Sequence, residues 1–207
     1  MATGAVIYIH GMGGDAAEAE HFAPLFPGYD VIGFDYLSQT PWEAKEEFPA
    51  YLKTKLNACK PIILAANSIG AYFSMQAGLD RFIQKAYFIS PVVDMESIIL
   101  GMMRERGVTE AELSEKGTIG DLSWEYLAWV RANPVKWSAP TEILCGGRDH
   151  LTPERTMRAF AKEHGDGLSV MAGGEHWFHT EAQMRFLDEW IKNKEAARRA
   201  AGRNEDV

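Results

Sequence analysis

Two cysteines in 207 residues leave no material for a disulfide framework. Cys59 and Cys145 each lie in or beside a run that reads as core, so a reducing, cytoplasmic setting is expected. Positive charge is also scarce. Against 29 Asp and Glu there are 21 Lys and Arg, a formal net charge of −8, which repels nucleic acid and anionic membrane surfaces. The one basic concentration, Lys192, Lys194, Arg198, Arg199 and Arg203, is interrupted by acids and reads as a solvated helix end. No stretch is apolar enough to span a bilayer: residues 61–79 carry no charge, but Asn67, Ser68, Ser74, Gln76, Gly70 and Gly78 break the run. The N-terminus lacks the basic segment and hydrophobic stretch of a secretory signal and reads as a first strand.

What is present is an ordinary globular composition, 46% hydrophobic, 24% charged and 11% aromatic, which excludes disorder and coiled coil. Without repeats or a Pro/Gly/Ser linker, 1–207 is expected to be a single domain. Short β-branched runs alternate with amphipathic stretches, the βαβ signature of a parallel sheet covered by helices. Strands are expected over 5–10, 30–34, 61–66, 85–90, 141–145 and 168–171, and helices over 16–23, 41–58, 69–79, 153–164 and 180–194. The interval 94–138 has no strand candidate and three helical pieces, 95–106, 109–115 and 121–132. It reads as a small helical insertion beside the strand C-termini, where ligands bind in open parallel sheets.

Three sequence features supply chemistry when taken together. The run Ile62-Ile63-Leu64-Ala65-Ala66-Asn67-Ser68-Ile69-Gly70-Ala71 places a serine between a strand and a helix, with small residues two positions either side. Such a serine sits on a strained turn with its hydroxyl exposed. His10-Gly11-Met12-Gly13-Gly14 follows the first strand, a glycine-rich loop suited to presenting backbone N–H groups to an oxyanion. The donors named by this logic are the amides of Met12 and Ile69. The same loop, with Asp35 further on, superficially fits a dinucleotide-binding turn, although Ala16 replaces its last glycine. Finally, Gly146-Gly147-Arg148-Asp149 and Ala172-Gly173-Gly174-Glu175-His176 each follow a strand. A histidine can take the serine proton while a carboxylate orients it.

With Ser68, Asp149 and His176 in that chain order, the sequence resembles the α/β-hydrolase superfamily over essentially its whole length. The resemblance implies a three-layer α/β/α sandwich with a mostly parallel sheet of about six strands and a helical cap over about 94–138. It implies Ser68 as nucleophile, Asp149 as acid and His176 as base. Two departures stand out: Ala66 replaces the first glycine of the usual Gly-x-Ser-x-Gly, and a start at Ala5 leaves no room for the antiparallel strands that often open the family's sheet. Asp94 is the alternative carboxylate and His179 the alternative histidine.

His10, Tyr72, Trp124, Trp129 and Trp177, with Met12, Met102 and Met103, are candidates for the substrate pocket. His10 also has a plain role in holding the glycine-rich loop in shape, and each of the others in gluing the insertion to the body. The expected activity is hydrolysis of a small ester or thioester through an acyl-enzyme, with no cofactor or metal, by a monomer or homodimer. Amide or aminopeptidase-type cleavage, using the acidic insertion to hold an amine, and a non-catalytic ligand-binding module on the same fold are the alternatives.

Overall fold

The computed structural model describes residues 2–56 and 61–205. Six strands form one sheet: β1 Ala5–Ile9, β2 Asp30–Phe34, β3 Ile62–Asn67, β4 Lys85–Ile89, β7 Thr141–Gly146 and β8 Gly167–Met171. Their order is β2-β1-β3-β4-β7-β8, and every neighbouring pair is parallel. These segments are rich in Val, Ile, Leu and aromatics because both faces of a parallel sheet are covered.

β1 shows how two cores arise from one strand. Val6 and Tyr8 point to one face, packing among Phe22, Leu25, Phe26, Trp190 and Ile191. Ala5, Ile7 and Ile9 point to the other, among Phe48, Leu52, Tyr72 and Phe73. Each large side chain so buried contributes about 1.5–3 kcal/mol.

The helices are α1 Ala19–Phe22, α2 Pro41–Leu56, α3 Ile69–Gln76, α4 Met95–Glu105, α5 Glu110–Lys116, α6 Trp124–Ala132, α7 Glu154–His164 and α8 Glu181–Glu205. The helix expected over 16–23 is instead α1 flanked by 3-10 turns at Ala16–Glu18 and Ala23–Leu25, and Pro24, with no N–H to donate, sits in the second of these. The last two positions of the helix expected over 41–58, and Cys59, lie outside the described residues. α8 runs beyond the expected end at 194 and is not simply solvated there. Lys194 pairs with Glu142, while Arg198 pairs with buried Glu195 and donates to the Tyr29 hydroxyl. Glu195 also accepts from Tyr87 at 2.5 Å, docking the helix on the sheet.

The insertion corrects one expectation. Between α5 and α6 lies a hairpin of two-residue strands, β5 Thr118–Ile119 and β6 Leu122–Ser123. Gly120, at φ +62°, supplies the left-handed conformation of its two-residue turn, so 121–123 is not helical. Thr109 and Glu112 cap the start of α5 reciprocally. Arg131 of α6 reaches Glu96 of α4 and Glu110 of α5, linking all three helices. Trp42 of α2 packs against Tyr126 and Trp129, joining the insertion to the body.

The chain adds β2 on one side of β1 and then returns to place β3 on the other. That reversal opens a crevice above the C-terminal ends of β1 and β3, where ligands bind in such sheets.

Candidate active site

Ser68 caps the N-terminus of α3 immediately after β3, with φ +50° and ψ −117°. A non-glycine residue is strained there, and only a tightly determined turn holds it. Gly70 is what allows the turn to sit against β1: a Cβ at this position would lie 2.4 Å from the His10 carbonyl oxygen. Ala66, where the usual pattern has glycine, is fully buried and paired with Ile9 and Phe88, so its methyl belongs to the core.

The Ser68 hydroxyl lies 2.8 Å from Nε2 of His176, and Nδ1 of that ring lies 2.8 Å from Oδ2 of Asp149. The last two strands carry these partners. Asp149 follows β7 and His176 follows β8, and their loops are laced together by two backbone hydrogen bonds. Gly147 N–H donates to Met171 and Arg148 N–H to Gly174, each at 2.8 Å. Gly146 and Gly174 permit this approach, because a Cβ on Gly146 would sit 2.4 Å from the Gly174 oxygen.

The Asp149 side chain has no exposed surface. Burial on its own would raise its pKa, but hydrogen bonds from His176, the Thr152 hydroxyl and the Thr152 amide outweigh it. They hold the carboxyl below the usual carboxylate range. Oδ1 accepts from the amides of Leu151 and Thr152 at 2.9 and 2.8 Å, and Oδ2 accepts from the Thr152 hydroxyl at 2.6 Å. Thr152 was not singled out from the sequence, although the Asp-x-x-Thr spacing is that of a side chain satisfying its own loop.

The alternatives are engaged elsewhere. Asp94 caps α4 by accepting from the Ser97 amide and hydroxyl. His179 Nδ1 lies 2.7 Å from the Trp177 carbonyl. Cys145 is buried and free, and burial pushes its thiol up to about 11, away from nucleophilic reactivity. The loop after β1 does not lead into a long helix as a dinucleotide-binding turn does. It ends at Asp15, whose carboxylate caps a 3-10 turn and would face a pyrophosphate with negative charge.

The Met12 and Ile69 amides have no acceptor among the described residues. The loops that carry them adjoin at Gly11, where an added Cβ would be 3.3 Å from Ser68 Cβ. His10 is buried and stacks on Tyr36 at 4.3 Å between ring centroids. Its Nδ1 is 2.8 Å from the Gly11 oxygen, and the Tyr36 hydroxyl donates to its carbonyl, so it fixes the shape of this loop.

The pocket candidates differ in their surroundings. Tyr72 is buried and borders a cavity of about 220 Å³ shared with Gln76, Asp94, Arg131 and Asn133. Trp124, Trp129 and Met102 are half-buried against the core of the insertion, and Met103 is buried in it. Trp177 is 67% exposed and stacked on His179, and Met12 is 86% exposed. A second, open concavity of about 640 Å³ lies beyond β2, between Leu37, Trp42, Glu43 and Glu46. Neither concavity is bordered by Ser68 or His176.

No protein-family model matches the sequence, and no curated protein does. Solved structures do match in fold. Est1E from Butyrivibrio proteoclasticus is similar at 20% identity over 96% of this chain and 89% of its own, with TM-score 0.73. Mouse alpha/beta hydrolase domain-containing protein 10 is similar at 18% identity over 93% of this chain and 90% of its own, with TM-score 0.69. The monoacylglycerol lipase of Paleococcus ferrophilus is similar at 16% identity over 91% of this chain and 93% of its own, with TM-score 0.61. The chain has the α/β-hydrolase fold.

Proposed function

We propose that the protein is a serine hydrolase that cleaves a small ester or thioester. The observation that carries this is the unbroken relay from the strained Ser68 hydroxyl through His176 to buried Asp149, 2.8 Å at each link. His176 takes the Ser68 proton as the oxygen attacks the substrate carbonyl, and Asp149 stabilises the imidazolium that forms. The Met12 and Ile69 amides receive the oxyanion. His176 then protonates the leaving group, and water activated by the same nitrogen releases the acyl group from Ser68. None of these steps calls for a metal or cofactor.

The ester assignment draws support from the names of the structural neighbours, an Est1E that has been seen with ferulic acid and a monoacylglycerol lipase. A reducing cytoplasmic setting accords with the free Cys145.

Intact-mass measurement after treatment with a fluorophosphonate tests the proposal. A single adduct on the protein, absent from Ser68→Ala, is expected, followed by turnover of short-chain p-nitrophenyl esters and acyl thioesters. A folded protein that takes no adduct and turns over none of these substrates would overturn it.

A further inference from the structure

Two serines, Ser68 and Ser90, are the non-glycine residues with positive φ among the described residues. Ser90 follows directly on β4, the strand beside β3, at φ +44° and with no exposed surface. Its hydroxyl has no hydrogen-bond partner. A buried, strained residue with an idle side chain is expensive, and such outliers persist where the surrounding structure uses them.

The use lies in the backbone on either side of it. Ser68 N–H donates to the Ile89 carbonyl at 3.0 Å, and Ser68 C=O accepts from Val92 N–H at 3.2 Å. Both backbone polar groups of Ser68 therefore bond to one short segment, Ile89-Ser90-Pro91-Val92, which shares the Ser68 carbonyl with the Ala71 and Tyr72 amides of α3. The chain must turn sharply inside that segment to bring a carbonyl and an amide three residues apart onto the same residue. Ser90 makes the turn, and its own N–H donates to Leu144 of β7 at 2.8 Å, anchoring the turn to the strand that leads to Asp149. Pro91 has no N–H to leave unsatisfied, and it biases the residue before it away from the right-handed helical region.

We infer that Ser90 is a positioning residue for Ser68, acting through its left-handed backbone and not through its hydroxyl. This rests on the proposed hydrolase chemistry for its kinetic readout but on the backbone geometry for its substance. An extended Ser90 would carry Val92 away, leave the Ser68 carbonyl to the Ala71 and Tyr72 amides alone and let the elbow relax from the conformation that aims its hydroxyl at His176.

Three variants separate the backbone from the hydroxyl. Glycine adopts φ +44° without strain, alanine keeps the constraint of serine without its oxygen, and threonine keeps the oxygen but adds a branch that disfavours positive φ. The readouts are the fluorophosphonate labelling rate of Ser68, kcat and KM for p-nitrophenyl acetate, and amide exchange in the peptide spanning Ser68. Ser90→Gly and Ser90→Ala are expected to label within about threefold of the parent. Ser90→Thr should lose at least about tenfold in labelling and kcat together, with KM changed less than twofold and with faster exchange at the Ser68 amide. Loss in Ser90→Gly or Ser90→Ala comparable to that in Ser90→Thr would overturn the inference, as would full activity and unchanged exchange in Ser90→Thr. If Ser90→Thr does not fold, Ser90→Gly and Ser90→Ala still decide it. If the parent is neither labelled nor active on these esters and thioesters, the hydrolase reading fails by itself, and exchange at the Ser68 amide in the three variants still judges the clamp.

Discussion

Asp149 grips His176 from a position with no exposed side-chain surface, its Oδ2 2.8 Å from Nδ1 of the ring and its remaining lone pairs filled by Leu151 and Thr152. An imidazole held this way presents Nε2 to Ser68 in one tautomer. Asp149→Asn keeps the shape and loses that control. Turnover of p-nitrophenyl acetate should fall by roughly 10³–10⁴ in kcat with little change in KM. A fall of less than tenfold would show that the carboxylate is not needed to orient the base.

Thr152 acts one step further out. Its hydroxyl and amide both donate to Asp149, and hydrogen bonds to a charged group are worth more than neutral ones. Thr152→Val preserves volume and the backbone donor but removes the hydroxyl, so kcat should drop about tenfold with KM unchanged. Thr152→Ser should restore most of it. Steady-state kinetics on the three proteins make the comparison.

Ala66 fills space that the more usual glycine would leave open. Ala66→Gly removes a fully buried methyl and loosens a central strand, so it should cost about 1 kcal/mol in chemical denaturation. Activity at 25 °C should stay within about twofold, because the close approach to β1 depends on Gly70.

Asp166 gives stability a pH dependence of its own. Burial pushes its carboxyl up to about 6 from an ordinary 3.8, against the opposing hydrogen bond from the Thr141 amide, and Oδ2 has no partner. The folded protein therefore holds this proton more tightly than the unfolded chain does, and stability falls as pH rises from about 4 to about 6. Above that range the charged form is retained at a cost. Asp166→Asn should be more stable than the parent by about 2 kcal/mol at pH 7, with the difference vanishing below pH 4. Urea denaturation across that range measures it.

The sheet was legible because each strand is a short β-branched run bounded by turn residues, and the observed strands fall within one or two residues of those runs. Ser68, Asp149 and His176 were legible for a related reason: each stands just past a strand, where a parallel sheet must converge them. The hairpin at Thr118–Ser123 was not, since two-residue strands carry no periodicity and its turn is signalled by Gly120 alone. The packing partners of Trp124 and Trp129 were not either. Trp124 and Trp129 have the composition of a ligand wall, but their neighbours are other side chains of the insertion and Trp42, a partner that no spacing in the sequence connects to them. Nor did the sequence distinguish Ser90 from any strand-ending serine, because positive φ leaves no mark on residue type here.

The helical insertion leaves the sheet after β4 and returns at β7, and these two strands are hydrogen-bonded neighbours. Removing everything between them would therefore leave a continuous sheet, with the Ser68, Asp149 and His176 strands still in their places. Descent with modification can act on such a detour almost independently of the body. Related chains could share the chemistry at the strand ends and differ in what they accept, simply by carrying a different excursion between the same two strands.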